Sequence, residues 1–156
     1  MTPNLHATRI MLADDHAVVR LGLRLLLEGA GATVVGEAES GESASRMYGP
    51  LDPDVLVMDI SMPGIGGLGA LERILIHVPK ARVLMLSAHS DDIMPTRALR
   101  AGARGYLCKR AAPEEFLRAV SAVAADQRYI DPELASALVL AQPPKSAHPG
   151  VWLSEH

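Results

Sequence analysis

Five short apolar runs punctuate the chain: RIMLA (9–13), TVVGEA (33–38), DVLVMD (54–59), RVLMLSA (82–88) and GYLCK (105–109). Between them lie 17–28, 41–48, 67–77, 91–101 and 114–125, longer stretches in which apolar residues recur at helical spacing. Runs such as VLVM and VLML have no polar alternation, which marks strands covered on both faces and therefore a parallel sheet. Five strand–helix repeats in series predict a doubly wound α/β fold, with helices on both sides of a five-stranded parallel sheet.

The helical stretches carry their own signals. In 17–28, Val18, Leu21, Leu25 and Glu28 fall at helical intervals, with Val19, Leu23 and Leu26 widening the apolar stripe, and Gly29-Ala30-Gly31 ends it. In the last helix Pro113 suits the first turn, Glu114 and Glu115 sit beside the positive helix end, and Phe116, Val120 and Val123 repeat on one face. The strand–helix alternation thus spans residues 8–126. Beyond it, Asp131-Pro132 suits an N-cap followed by a first helical residue, so 127–141 reads as a short helical extension. QPPKSAHPG (142–150) has three prolines and a glycine in nine residues, and 142–156 reads as a Pro-rich linker or tail.

Composition narrows the function classes. The chain has 156 residues, 49% apolar but only 3% aromatic, so its core is built from Leu, Val, Ile, Met and Ala. A net charge of −3 with scattered basic residues lacks the footprint of a nucleic-acid binder. A single cysteine, Cys108, excludes an internal disulfide and, without Cys/His ligand spacing, structural zinc. Cys108 reads as a small buried apolar side chain, and Met58, Met62 and Met85 as packing residues. No apolar stretch approaches the ~20 residues that cross a bilayer, and residues 1–9 lack a secretory signal. No membrane association and a cytoplasmic location are expected.

In an open parallel sheet, ligands bind beyond the carboxyl ends of the strands. Those ends carry Asp14 and Asp15 after the first strand, Asp59 at the end of the third, Ser87 on the fourth and Lys109 on the fifth. Three carboxylates converging on one crevice repel one another unless a cation joins them. Mg²⁺ takes oxygen ligands and keeps several waters, which fits acids without nitrogen or sulfur donors; with Lys109 it balances their charge. A carboxylate also serves as a nucleophile toward phosphorus, and metal and lysine stabilise the transferring oxygens. Asp59 is the best candidate, because it ends a buried strand and is followed by the turn ISMPG. Ser87 offers a hydroxyl, and the small Ala88 leaves room for phosphate.

The ordered set ADDH (13–16), VMDISMPG (57–64), LSA (86–88) and GYLCK (105–109) resembles the receiver domain of two-component response regulators. GARGYLCKRAAPEEF followed by RYIDPELA is similar to the NarL/FixJ subfamily, where a receiver precedes a LuxR-type helix-turn-helix domain. The resemblance implies a flavodoxin-like receiver fold with strand order 2-1-3-4-5. It also implies a phosphorylatable switch that is not a turnover enzyme. Asp59 would accept a phosphoryl group from a sensor histidine kinase. Asp15, Asp59 and the Ser61 main-chain carbonyl would bind Mg²⁺, with Asp14 acting through a water. Lys109 would pair with the phosphoryl oxygens, Ser87 and Tyr106 would be the switch pair, and the surface of the fourth helix, fifth strand and fifth helix would change. The partners implied are the kinase, a second copy on phosphorylation, and DNA only through an output domain, which would begin about where VWLSEH stands.

Two features depart from that pattern. Gly64, Gly66, Gly67 and Gly69 make the start of the third helix glycine-rich; each interior glycine costs about 0.8–1 kcal/mol against alanine, which predicts a frayed, late start. Arg110 follows the lysine where many receivers have proline, at a step that is often cis in the family. Arg97, Arg100 and Arg104 read equally as a basic patch or as ordinary charges near a helix end. His16 and His89 lie near the mouth of the site, where His89 would tune access. The rival readings are a Mg²⁺-dependent phosphohydrolase of the haloacid dehalogenase type, a flavin-binding flavodoxin-like module and a stand-alone protein-binding receiver. The first expects D-x-D after the first strand. The second needs a phosphate-binding loop where LADDH places acids.

Overall fold

The computed structural model describes residues 3–88, 93–132 and 135. Strands β1 (Arg9–Ala13), β2 (Thr33–Ala38), β3 (Val55–Asp59), β4 (Val83–Ser87) and β5 (Gly105–Cys108) alternate with helices α1 (Ala17–Gly29), α2 (Gly41–Leu51), α3 (Gly66–His77), α4 (Ile93–Ala101) and α5 (Pro113–Ala124). The sheet order is β2-β1-β3-β4-β5-β6, and every adjacent pair is parallel. The expected order of the first five strands holds. β6 (Tyr129–Ile130) is an addition, a strand inside the 127–141 segment where a short helical extension is expected. Two residues are too short for periodicity to reveal, and only the free edge of β5 makes them a strand.

Successive strand residues point to opposite faces, so each apolar run fills two cores. Met11, Leu56, Met58, Met85 and Tyr106 pack with Ala44, Tyr48, Leu71 and Ile74 beneath α2 and α3. Ile10, Leu12, Val57, Leu84, Leu86 and Leu107 pack with Leu27, Phe116, Val120 and Val123 beneath α1 and α5. The central strands β3 and β4 are buried throughout. Cys108 is buried as expected, and Met58 and Met85 are fully enclosed.

The expected apolar stripe of α1 is corrected. Val18, Leu21 and Leu25 are 82%, 56% and 61% exposed, whereas the core contact is made by Leu27, with Leu23 and Leu26 partly buried against it. The helix is apolar around most of its circumference, so spacing alone does not choose its rotation. Arg20 and Arg24 do: their guanidinium groups lie 2.9 Å and 2.7 Å from the Glu37 carboxylate on β2. Arg20, first, then holds the Glu37 carboxyl below the usual range, against the opposing effect of burial.

The third helix does not start late: it begins at Gly66, one residue before the expected start. The reason is close approach rather than flexibility. A Cβ at Gly67 would collide with the Asp59 carbonyl and lie 2.7 Å from the Ile60 Cα. Gly66 has φ +74°, a left-handed conformation that favours glycine. The described peptide bonds are all trans, Lys109–Arg110 among them. Arg104, read as one of a basic group, pairs with Asp126 at 2.7 Å. His89 and most of the 127–156 extension and tail fall outside the described residues.

Gly67→Ala should lower the unfolding free energy by about 1–3 kcal/mol through overpacking. Gly22→Ala, on the open side of α1 with nothing within 4 Å, should raise it by about 0.5–1 kcal/mol; urea unfolding of both variants measures the contrast. A second outcome concerns β6. Burial, then donation of its hydroxyl to Glu115 at 2.9 Å, pushes the Tyr129 phenol up to about 12. That raised value contributes stability below the unfolded pKa of about 10, and the contribution is lost as pH rises from there toward 12. In an absorbance titration Tyr129→Phe should remove one phenol from the high-pH end, where burial also pushes Tyr48 up, and it should lessen the alkaline fall in stability.

Candidate functional site

The sheet delivers its acids to one edge. Asp14 follows β1, is 1% exposed, and is fixed by donation of its N–H to the Ala38 carbonyl at 3.0 Å. Asp59 is the last residue of β3 and is 2% exposed. Lys109 follows β5, and its N–H donates to the Ser87 carbonyl at 2.8 Å, tying it to the end of β4. Its ammonium lies 2.8 Å from Asp14 Oδ2 and 2.8 Å from Asp59 Oδ2. Two buried carboxylates therefore share one cation. Burial alone would lower the lysine pKa, but the hydrogen bonds to Asp14 and Asp59 outweigh it and hold it above the ordinary value, so Lys109 stays charged throughout the physiological range.

The other carboxylate oxygens are held by the loops. Asp59 Oδ1 accepts from the Ser61 N–H at 3.0 Å. Asp14 Oδ1 accepts from the His16 N–H at 2.8 Å and lies 3.1 Å from His16 Nδ1. That nitrogen is also 3.2 Å from Asp15 Oδ1, so the imidazole spans the acid pair. The sequence reading placed His16 only near the mouth. Two other supporting residues escaped it. Arg20 donates to the Asp14 carbonyl while gripping Glu37, and Glu42 accepts from the Ile65 N–H at 3.1 Å, bracing the loop after Asp59. Neither stands in a motif; their partners are 6 and 23 residues away, distances at which spacing carries no signal.

Asp14, Asp15, Asp59 and Lys109 are thus brought together as expected. Ser87 is buried at the end of β4 and Ala88 is exposed beside it. Tyr106 is fully buried and packs into the core beneath α2 and α3.

Atoms of Asp14, Asp15, His16 and Asp59 lie within 4.8 Å of one another. Asp14 Oδ2 is buried, and the Lys109 ammonium 2.8 Å away is its partner among the described residues. Three carboxylates faced by one lysine leave the group with surplus negative charge, and their clustered oxygen donors fit a hard divalent cation.

The sequence profile described as "Response regulator receiver domain" matches residues 10–121. The chain belongs to that family. It is 42% identical over 149 residues to the protein named Response regulator UvrY of Escherichia coli (strain K12), covering 94% of this chain and 68% of that one. Among solved structures it is similar to a two-component response regulator of the LuxR family from Aurantimonas sp. SI85-9A1, with TM-score 0.83 and 38% identity over 86% of this chain and 96% of that one. It is also similar to the isolated REC domain of RcsB from Salmonella enterica serovar Typhimurium, solved with the phosphomimetic BeF3-, with TM-score 0.77 and 26% identity over 85% and 99% of the two chains. Receiver domains bind Mg²⁺ at an acidic pocket, and this chain has such a group of aspartates. Among the described residues no helix is long and apolar enough to cross a membrane.

Lys109→Met should lower stability by about 2 kcal/mol in metal-free buffer, because it leaves two buried carboxylates without their cation. Mg²⁺ should then raise the melting temperature of this variant more than that of the parent chain, measured by calorimetry with and without the ion.

Proposed function

We propose that Asp59 is the phosphoacceptor of this receiver and that a sensor histidine kinase is its donor. The observation that carries the proposal is the setting of the Asp59 carboxylate. It is buried at the end of a central strand, with one oxygen against Lys109 and the other held by Ser61 N–H, beside Asp14 and Asp15. An Asp59 oxygen forms a bond to the phosphorus of a phosphohistidine, the phosphorus–nitrogen bond breaks, and the kinase imidazole leaves with its electron pair and takes up a proton. Asp15, Asp59 and the Ser61 carbonyl would hold Mg²⁺, with Asp14 acting through a water; when bound, the ion supplies charge compensation to the phosphoryl oxygens. Lys109 turns from a carboxylate partner to a phosphoryl partner, and Ser87 supplies a hydroxyl donor beside Ala88.

Phosphorylation adds charge and strong acceptors at Asp59. Lys109 and Ser87 are drawn to it, and because they end β5 and β4, the surface of α4, β5 and α5 changes, with Tyr106 as the aromatic of the switch. We assign residues 8–126 to the receiver unit, whose sheet β6 extends from within the segment 127–141, and 142–156 to a linker. The output is transcription through a DNA-binding domain joined by that linker, with a homodimer formed on phosphorylation in the cytoplasm. The likeness to response regulators of the LuxR family supports this reading.

The test is direct. Incubated with Mg²⁺ and a small acyl phosphate, the chain should gain one phosphoryl group that hydroxylamine removes, seen by intact mass. Asp59→Asn should gain none; an adduct that persists in this variant overturns the assignment.

A further inference from the structure

The end of β5 that carries Lys109 is held from both sides, and the outer hold is a side chain. On the inner side Lys109 N–H donates to the Ser87 carbonyl of β4 at 2.8 Å. On the outer side β6 pairs Tyr129 with Gly105 and Ile130 with Tyr106, and then ends. The next residue, Asp131, donates its N–H to the Tyr106 carbonyl at 3.0 Å, and Pro132 follows it. Cys108 N–H would then face no strand. Asp131 Oδ2 takes that place, accepting from it at 3.3 Å. The side chain of Asp131 thus extends the ladder one rung further than the backbone of β6, to the residue immediately before Lys109. Asp131 was read from the sequence as an N-cap; its carbonyl does accept the Ala135 N–H at 2.8 Å, but this carboxylate oxygen is turned to β5.

Two features set this contact apart from ordinary edge pairing. Asp131 is 5% exposed, one of the few buried charged residues among those described, and a carboxylate is costlier to bury in that place than a backbone carbonyl. On its outer side lies a cavity of about 510 Å³ lined by Cys108, Arg110, Ala111, Glu115, Asp131 and Pro132. Among the described residues the contact thus borders an opening rather than the middle of the core.

We propose that Asp131 is a positioning residue for Lys109. By holding Cys108 N–H it sets the direction in which β5 ends, and so where the Lys109 ammonium stands between Asp14 and Asp59. Because coupling between sites is reciprocal, whatever moves the chain beyond residue 132 also acts on Lys109. The inference rests on the phosphoacceptor reading only for its consequence; the position of Lys109 is measurable without it.

The sequence contains three lysines, Lys80, Lys109 and Lys145, so lysine-labelled protein gives a small set of side-chain NMR signals that Lys109→Arg assigns. In Asp131→Ala the Lys109 signal should move toward those of ordinary exposed lysines, and phosphorylation by the acyl phosphate with Mg²⁺ should slow about tenfold. Asp131→Asn, which keeps an oxygen acceptor, should leave the signal in place and the rate within about twofold. If Asp131→Ala does not fold, Asp131→Glu, which shifts the acceptor by one methylene, should give the same displacement. An unmoved Lys109 signal in the Ala or Glu variant, with or without a slower rate, overturns the proposal. A parent chain that takes no phosphoryl group overturns the phosphoacceptor reading instead, while the NMR comparison still decides this one.

Discussion

Two like charges buried at one edge of the sheet are the constraint on which this molecule turns. Asp14 and Asp59 are nearly inaccessible, and their carboxylates converge because β1 and β3 are neighbours in register, Ala13 beside Met58. Such a pair repels strongly where water is excluded. Lys109 makes it tolerable, reaching across from β5 to touch both. The cost of that arrangement is local, and the apolar sheet beneath carries it. β3 and β4 are buried along their whole length, so the strand ends have little freedom to splay apart.

The surroundings of the pair are arranged to keep it in place. Ser61 and His16 donate backbone N–H groups to the outer oxygens, Arg20 takes the Asp14 carbonyl, and Glu42 ties down the loop after Asp59. Gly67 lets α3 start against the Asp59 carbonyl, where any side chain would push the loop away. The glycine-rich stretch, costly by helix propensity, is thus matched to a close approach.

The sequence made the chemistry legible for a specific reason. Strand-end residues of a parallel sheet must meet at one edge, so Asp14, Asp15, Asp59, Ser87 and Lys109 could be placed together once the five apolar runs were recognised. The helix rotations were less legible. α1 has two apolar faces, and the choice fell to the Arg20 and Arg24 pairing with Glu37 across to β2. Sequence places His16 at the mouth and Asp131 at a cap and gives Glu42 no role, because what they do depends on loops that approach them from elsewhere in the chain.

By itself, then, the order of apolar runs and acids determined the layer architecture, the strand ends and the identity of the charged groups, since local periodicity and strand-end geometry are properties of neighbouring residues. Only the tertiary structure decided which face of α1 is inside, why the third helix needs glycine, that Tyr129 and Ile130 form a sixth strand, and that Asp131 reaches the end of β5. Each of these is set by a partner distant along the chain, and a contact of that kind leaves no mark on spacing or composition.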